Sequence, residues 1–182
     1  MPRVPNASTY DRILDALERI LLRTGSAQVT LEAVANEADV SKGGLLYHFP
    51  SKDALLIGLA SRLGDRADAQ LSAALAAGSS IAEFYLQSPD TTAETELQVY
   101  RSLIAALHTV DGQNHQLRDA VTKVLRGWDE QLRAEIPDPV QAEIVRLAGD
   151  GIYLSALLGL PLPDPDVHRL VVERLTQTGS AS

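Results

Sequence analysis

The sequence predicts an all-α protein: an amino-terminal three-helix unit containing a helix-turn-helix, followed by a larger helical domain. Three observations carry this. Leu and Ala dominate an apolar fraction of 45%, with only two Phe and one Trp, a composition suited to stacked helices rather than to a β-sandwich. Apolar residues recur at spacings of three and four in almost every segment between residues 9 and 177, which is the period of one helix face. Residues 29–52, VTLEAVANEADVSKGGLLYHFPSK, hold two helical stretches joined by the short turn Asp39-Val40-Ser41, a unit whose second helix is free to enter a DNA major groove.

Residues 1–8 hold two prolines and small polar residues and read as a mobile arm. Arg3 and Arg12 could reach DNA phosphates from there, although a lone Arg in such a place is more often solvated. Ser8 or Thr9 caps a helix to about Thr24, with Ile13, Leu14, Leu17, Ile20 and Leu21 as its buried stripe.

Thr30 caps the next helix, residues 30–38, but Ala33 three residues on denies it a full capping box. Val34, Ala35 and Ala38 give that helix a small inner face against which a second helix can come close. Asp39 falls where the backbone should turn left-handed, a conformation that favours Gly and that Asp tolerates. Ser41 caps Lys42–His48, whose expected exposed residues are Lys42, Gly43, Gly44, Tyr47 and His48, while Leu45 and Phe49 point inward. Two adjacent glycines cost a helix about 1 kcal/mol each, which is easier to explain if the backbone lies close to a phosphate or a base edge.

The head unit thus spans residues 9–52 and the larger domain residues 53–178. Ser51 caps a long helix, 52–77, with Leu55, Leu56, Leu59, Leu63 and Ala67 on its apolar side; Gly58 and Gly64 weaken it without ending it. A short helix at 80–87 stops at Ser88-Pro89. Helix 92–109 groups Leu97, Tyr100, Arg101, Ile104, Leu107 and His108 on one broad side. A single amphipathic helix is expected over 114–136, with Leu117, Val121, Val124, Leu125, Trp128 and Leu132 as its stripe, closed by Pro137. Helix 140–158 is apolar nearly all round in its second half, and 166–177 forms the last helix after a Pro-Leu-Pro-Asp-Pro link. Residues 179–182 read as a disordered tail.

The first ~50 residues resemble the amino-terminal domain of the TetR family of bacterial transcriptional regulators. The matching residues are Ile13-Leu14, Leu17, Gly25, Thr30, Ala35, Ala38, Val40-Ser41-Lys42-Gly43, Tyr47, His48, Phe49 and Lys52. Two positions depart: Leu46 stands where the family most often has a phosphate-contacting Tyr, which Tyr47 can replace, and Asp39 replaces the usual turn Gly. The resemblance implies double-stranded operator DNA as partner, with Thr30, Ser41, Lys42, Gly43, Gly44, Tyr47, His48 and Lys52 as DNA-binding residues. It also implies a homodimer through the last two helices, where Ile152, Leu154, Leu157, Leu158, Leu170 and Val171 are the expected interface; coverage within one subunit is the alternative reading of so apolar a helix.

In such regulators the middle helices surround a small, lipophilic effector. Tyr85, Tyr100, His108, Trp128 and Tyr153 are the candidate lining residues, with ordinary core, or a helix C-cap for His108, as the alternative. Glu94, Glu96 and Asp150 could counter a cationic effector. The function expected is a repressor that leaves its inverted-repeat operator when effector binds; the alternative is an effector-binding or protein-interaction module that does not bind DNA.

Charge tempers the DNA reading. The chain carries a net −8, but residues 1–60 hold six Lys/Arg against seven Asp/Glu and residues 61–182 ten against seventeen. The acid is therefore concentrated away from the helix-turn-helix, and binding strength must come from a few placed contacts and from two heads acting together. Without Cys, disulfides and Cys-type zinc fingers are excluded. No apolar run of membrane-spanning length and no charged leader occurs, which predicts a cytoplasmic protein that spans no membrane. No enzyme, cofactor or metal is expected: Glu143 and Asp150 share a helix face without a third ligand, and Asp111, His115 and Asp119, spaced four apart near a helix start, are more simply caps and solvated charge.

Overall fold

The computed structural model of the chain describes residues 8–25, 29–87, 94–109, 118–120, 122 and 126–177, with backbone alone for residues 94–96 and 106–109. The arm before Ser8, the tail, and Leu117, Val121, Val124 and Leu125 lie outside the described residues, as do the side chains of Glu94, Glu96, Leu107 and His108. Among the described residues all regular structure is helical. The helices are α1 (Thr9–Thr24), α2 (Leu31–Glu37), α3 (Lys42–His48), α4 (Lys52–Ala76), α5 (Ile81–Tyr85), α6 (Glu94–Thr109), α7 (Asp129–Glu135), α8 (Pro139–Leu158) and α9 (Pro165–Gln177).

Contacts divide the chain into one unit of residues 1–62 and 98–121 and a second of residues 63–97 and 122–182. The division thus falls after Arg62 rather than after Lys52, and α4 runs from one unit into the other.

In the first unit the α1 stripe is fully covered: Ile13, Leu14, Leu17 and Leu21 have no exposed surface, and Val34, Leu45, Leu55, Leu56 and Leu59 are buried with them. Each such side chain contributes about 1.5–3 kcal/mol by leaving water. Local chemistry sets the helix limits. Ser8 Oγ accepts from Asp11 N at 3.1 Å, and Gly25 ends α1 at φ 70° with its N–H on Leu21 O. Arg62, on α4, donates to Asp15 Oδ1 at 2.6 Å and to the Glu18 carboxylate, tying α4 to α1. Near the start of α4, Gly58 leaves room for Phe49: a Cβ there would meet its ring at 2.7 Å.

The second unit has its own core of Leu71, Ile81, Ala82, Leu86, Leu132, Ile136, Ala142 and Val145, with Phe84, Tyr85, Trp128, Ala148, Ile152, Val172 and Leu175 packed against it. Ser80 and Glu83 form a full capping box on α5. Glu135 adds a long-range cap, its carboxylate accepting from Ile81 N and Ala82 N at 2.9 and 3.0 Å. Asp138 caps α8, and Asp164 accepts from Asp166 N at the start of α9. Gln141 Nε2 donates to Leu175 O at 2.7 Å and His168 Nε2 lies 2.7 Å from Leu86 O, pinning α9 to α8 and to the end of α5.

Two expectations are corrected. The single helix over 114–136 does not exist: a turn at Gly127-Trp128 precedes α7, with Trp128 as its N-cap residue. Gly127 weakens the helix there, and the indole is held elsewhere by its own hydrogen bond (below). Leu157, expected to face a twin, is instead 6% exposed within the chain itself, and Ile152, partly buried, packs against the second unit's core.

Candidate nucleic-acid interface and effector site

The helix-turn-helix is built from backbone bonds outward. At the end of α2, Val40 N donates to Ala35 O at 3.0 Å and Asp39 N to Asn36 O at 3.2 Å, the pairing of a Schellman turn, with Asp39 at φ 52° in the left-handed position. This is the conformation its place in the sequence predicts. Thr30 Oγ1 accepts from Ala33 N at 3.1 Å and Ser41 Oγ from Gly44 N at 3.0 Å. Each cap uses a lone pair of the hydroxyl and leaves its O–H proton free to donate outward, as toward a phosphate.

The face that α3 presents carries Lys42, Gly43, Leu46 and Tyr47, all exposed, Tyr47 at 84% against 37% for Leu46. His48 is half-buried rather than fully presented: its ring meets Tyr47 edge-on at 5.1 Å and Tyr10 at 6.4 Å. Tyr10 in turn leans on Phe49 at 4.8 Å. The two glycines differ in surroundings: a Cβ on Gly44 would meet Ser41 Oγ at 3.2 Å, whereas a Cβ on Gly43 would meet no described atom within 4 Å. Lys52 opens α4, one residue after Ser51, whose Oγ accepts from Ala54 N at 3.0 Å.

Arginines of α1 attend the same turn. Arg12 Nη2 donates to Ala38 O at 2.8 Å and to Asp39 O at 3.0 Å, and Arg19 Nη2 to Glu37 O at 3.2 Å. Arg19 and Arg23 also pair with the Glu37 carboxylate, and their hydrogen bonds hold its carboxyl below the usual range. These cations sit at the C-terminal end of α2, where they complement the helix dipole.

In the second unit, Trp128 lies edge-on to Phe84 at 5.4 Å and to Tyr85 at 6.1 Å. Its indole N–H donates to Asp68 Oδ1 at 2.8 Å. Tyr85 donates its hydroxyl to Asp150 Oδ1 at 3.1 Å, and burial, then the Asp150 charge, push its phenol upward from the ordinary value. Arg146 bridges Asp150 at 2.6 Å and Glu143 at 2.5 Å; that hydrogen bond holds Glu143 below the usual carboxylate range. Gly149 permits this packing, since a Cβ there would lie 2.3 Å from Tyr85 Cδ1.

Of the five candidate lining residues, Tyr85 and Trp128 are neighbours in one cluster, and Tyr153 is half-buried on α8, three residues past Asp150. Tyr100 and His108 fall in the first unit. Sequence reasoning missed Phe84 and Asp68 as members of these sites, and it considered Arg12 only for phosphates, not for the turn carbonyls it serves. A partly buried Trp signals that an acceptor is needed for its N–H, but nothing in the spacing points to Asp68. Among the described residues no three His, Asp or Glu side chains group as a metal site, and no helix is long and apolar enough to cross a membrane.

Residues 13–59 match the family described as bacterial regulatory proteins of the tetR family, and residues 79–179 match the tetracyclin repressor-like C-terminal domain. The HTH-type transcriptional repressor KstR of Mycolicibacterium smegmatis is 42% identical over 125 residues, 69% of this chain and 54% of that protein. KstR of Mycobacterium tuberculosis is 30% identical over the same length, 50% of that protein. The chain thus spans about half the length of these curated relatives. A TetR-family structure from Streptomyces coelicolor A3 superposes with a TM-score of 0.70 at 25% identity, covering 93% of this chain and 98% of that one. The multidrug binding protein EbrR complexed with malachite green does so with a TM-score of 0.68 at 27% identity, over 93% and 98%. A Schellman-turned helix pair inside one matched segment and an all-helical second unit inside the other make this chain a member of the TetR family of bacterial transcriptional regulators.

Proposed function

We propose that the protein is a cytoplasmic transcriptional repressor that binds an inverted-repeat operator as a homodimer and is released by a lipophilic, cationic effector. The observation that carries the DNA half is the outward face of α3: Tyr47 and Lys42 stand exposed beside Gly43, where the backbone is open to close approach. Thr30, Ser41 and Lys52 supply phosphate-directed donors around it, Gly44 keeps the backbone beside Ser41 unobstructed, and His48 joins through Tyr47. Phosphate contacts set register and base-edge contacts set sequence.

The dimer half is supported by apolar side chains that one subunit leaves in water along α8 and α9. Leu154, Leu158, Leu170 and Val171 are exposed, Leu158 at 62%, and Ile144 and Leu147 join them. Two heads on one inverted repeat add their binding energies, which a near-neutral head requires. The effector half is supported by the Trp128, Phe84 and Tyr85 rings lying beside Asp68 and Asp150, since aromatic faces and carboxylates together favour a flat organic cation. EbrR, which the fold resembles, has been seen with ethidium and with malachite green.

A mobility shift with inverted-repeat DNA, repeated with malachite green, tests the whole reading. Operator binding that the dye reverses is the expected result. Absence of any operator shift at low salt removes the repressor function and leaves an effector-binding or protein-interaction module.

A further inference from the structure

We infer that Arg12 is a positioning residue for DNA recognition: from α1, its guanidinium locks the left-handed turn at Asp39 and so sets the angle at which α3 is presented. The inference rests on the DNA-binding reading above. A single nitrogen, Nη2, donates one hydrogen to Ala38 O at 2.8 Å and the other to Asp39 O at 3.0 Å. Those two carbonyls bracket Asp39, so fixing both peptide planes fixes its φ and ψ together. Asp39 is the one described non-glycine residue at positive φ, a conformation that an L side chain resists and that Gly adopts freely.

The turn's other bonds do not reach these two carbonyls. Val40 N and Asp39 N serve Ala35 O and Asn36 O, and Arg19 serves Glu37 O. Arg12 therefore completes the set, and it does so with a charge placed at the dipole's negative end. An arginine so engaged acts on α3 through the turn rather than on a phosphate.

The two roles separate experimentally in the full-length protein. Arg12→Met should lower operator affinity about tenfold, the effect of a charge-assisted hydrogen bond of ordinary strength, while nonspecific DNA binding and the salt slope stay unchanged. Adding Asp39→Gly, which needs no lock, should restore operator affinity. A phosphate contact predicts instead a salt slope lower by about one per subunit, equal losses on all sequences, and no rescue by Asp39→Gly; any of these overturns the inference, as does unchanged affinity in Arg12→Met. Amide hydrogen exchange without DNA supplies an independent arm: Asp39 and Val40 should exchange faster in Arg12→Met than in the parent, with α1 unchanged. Unchanged exchange overturns the positioning role even if operator binding itself is never observed, and accelerated exchange with no operator binding by the parent assigns that failure to the DNA reading alone.

Discussion

Side chains on and around α3 differ in what they leave available for DNA. Tyr47 and Lys42 are open, His48 is braced between two tyrosine rings, and the hydroxyls of Thr30 and Ser41 already serve as caps. Lys52→Ala should therefore weaken operator and nonspecific DNA alike and reduce the salt slope by about one unit per subunit. Lys42→Ala should in addition relax base preference, and binding by Lys42→Ala, Tyr47→Ala and His48→Ala proteins equal to that of the parent in a titration would refute the assignment. In the other unit, the phenol of Tyr85 carries an alkaline pH signature. Burial first, and the neighbouring Asp150 charge second, favour its neutral form above the ordinary value of 10.0. The folded state thus binds a proton that the unfolded chain has begun to lose, so this contribution is intact below pH 10 and disappears as pH rises through the raised value. Tyrosinate absorbance should show a late alkaline step that Tyr85→Phe removes; a titration identical in the two proteins would refute the placement.

At the scale of elements, the apolar character of α8 divides between two destinations. Leu157 faces its own subunit, so Leu157→Ala should cost about 2–5 kcal/mol of stability, read as a lower melting temperature. Leu158→Glu or Leu170→Glu, on the exposed side, should leave a folded monomer by light scattering, because the carboxylate is solvated in one subunit and stranded only against a twin; an intact dimer would place the interface elsewhere. The sequence could not separate these two leucines, since a helix apolar around its circumference carries no phase to say which side is internal. Helices with caps and a clear stripe were legible: Ser8 and Gly25 bound α1, and Ser41 opens α3 where its side chain can reach Gly44 N. The break before α7 was not, because Gly127 alone is a weak stop and the bond that holds Trp128 runs to Asp68, sixty residues earlier in the chain. The turn at Asp39 was legible from local chemistry, whereas its brace by Arg12 depends on packing between helices that no local pattern encodes.

For the whole molecule, the proposed effector and operator sites must obey linkage: the factor by which effector weakens operator binding equals the factor by which operator weakens effector binding. Trp128, the sole tryptophan, reports one side of that balance. A lipophilic cation such as malachite green should quench it and release DNA, with Trp128→Phe and Tyr85→Phe shifting the dose needed. Quenching with operator affinity unchanged would mean a site without regulation, and an indole unreachable by small neutral quenchers would mean plain core. α4, like α6, has residues in both units, and a substitution that loosens Arg62 from Asp15 and Glu18 should uncouple release from binding more than it harms either. Gly149 carries a different consequence. A Cβ there would strike Tyr85 at both ring and carbonyl, so even Gly149→Ala must displace the ring that flanks Trp128, while every residue of the helix-turn-helix stays as it was. Position 149 is thus a place where a one-carbon change reshapes the proposed effector site without touching any residue of the proposed DNA-binding face.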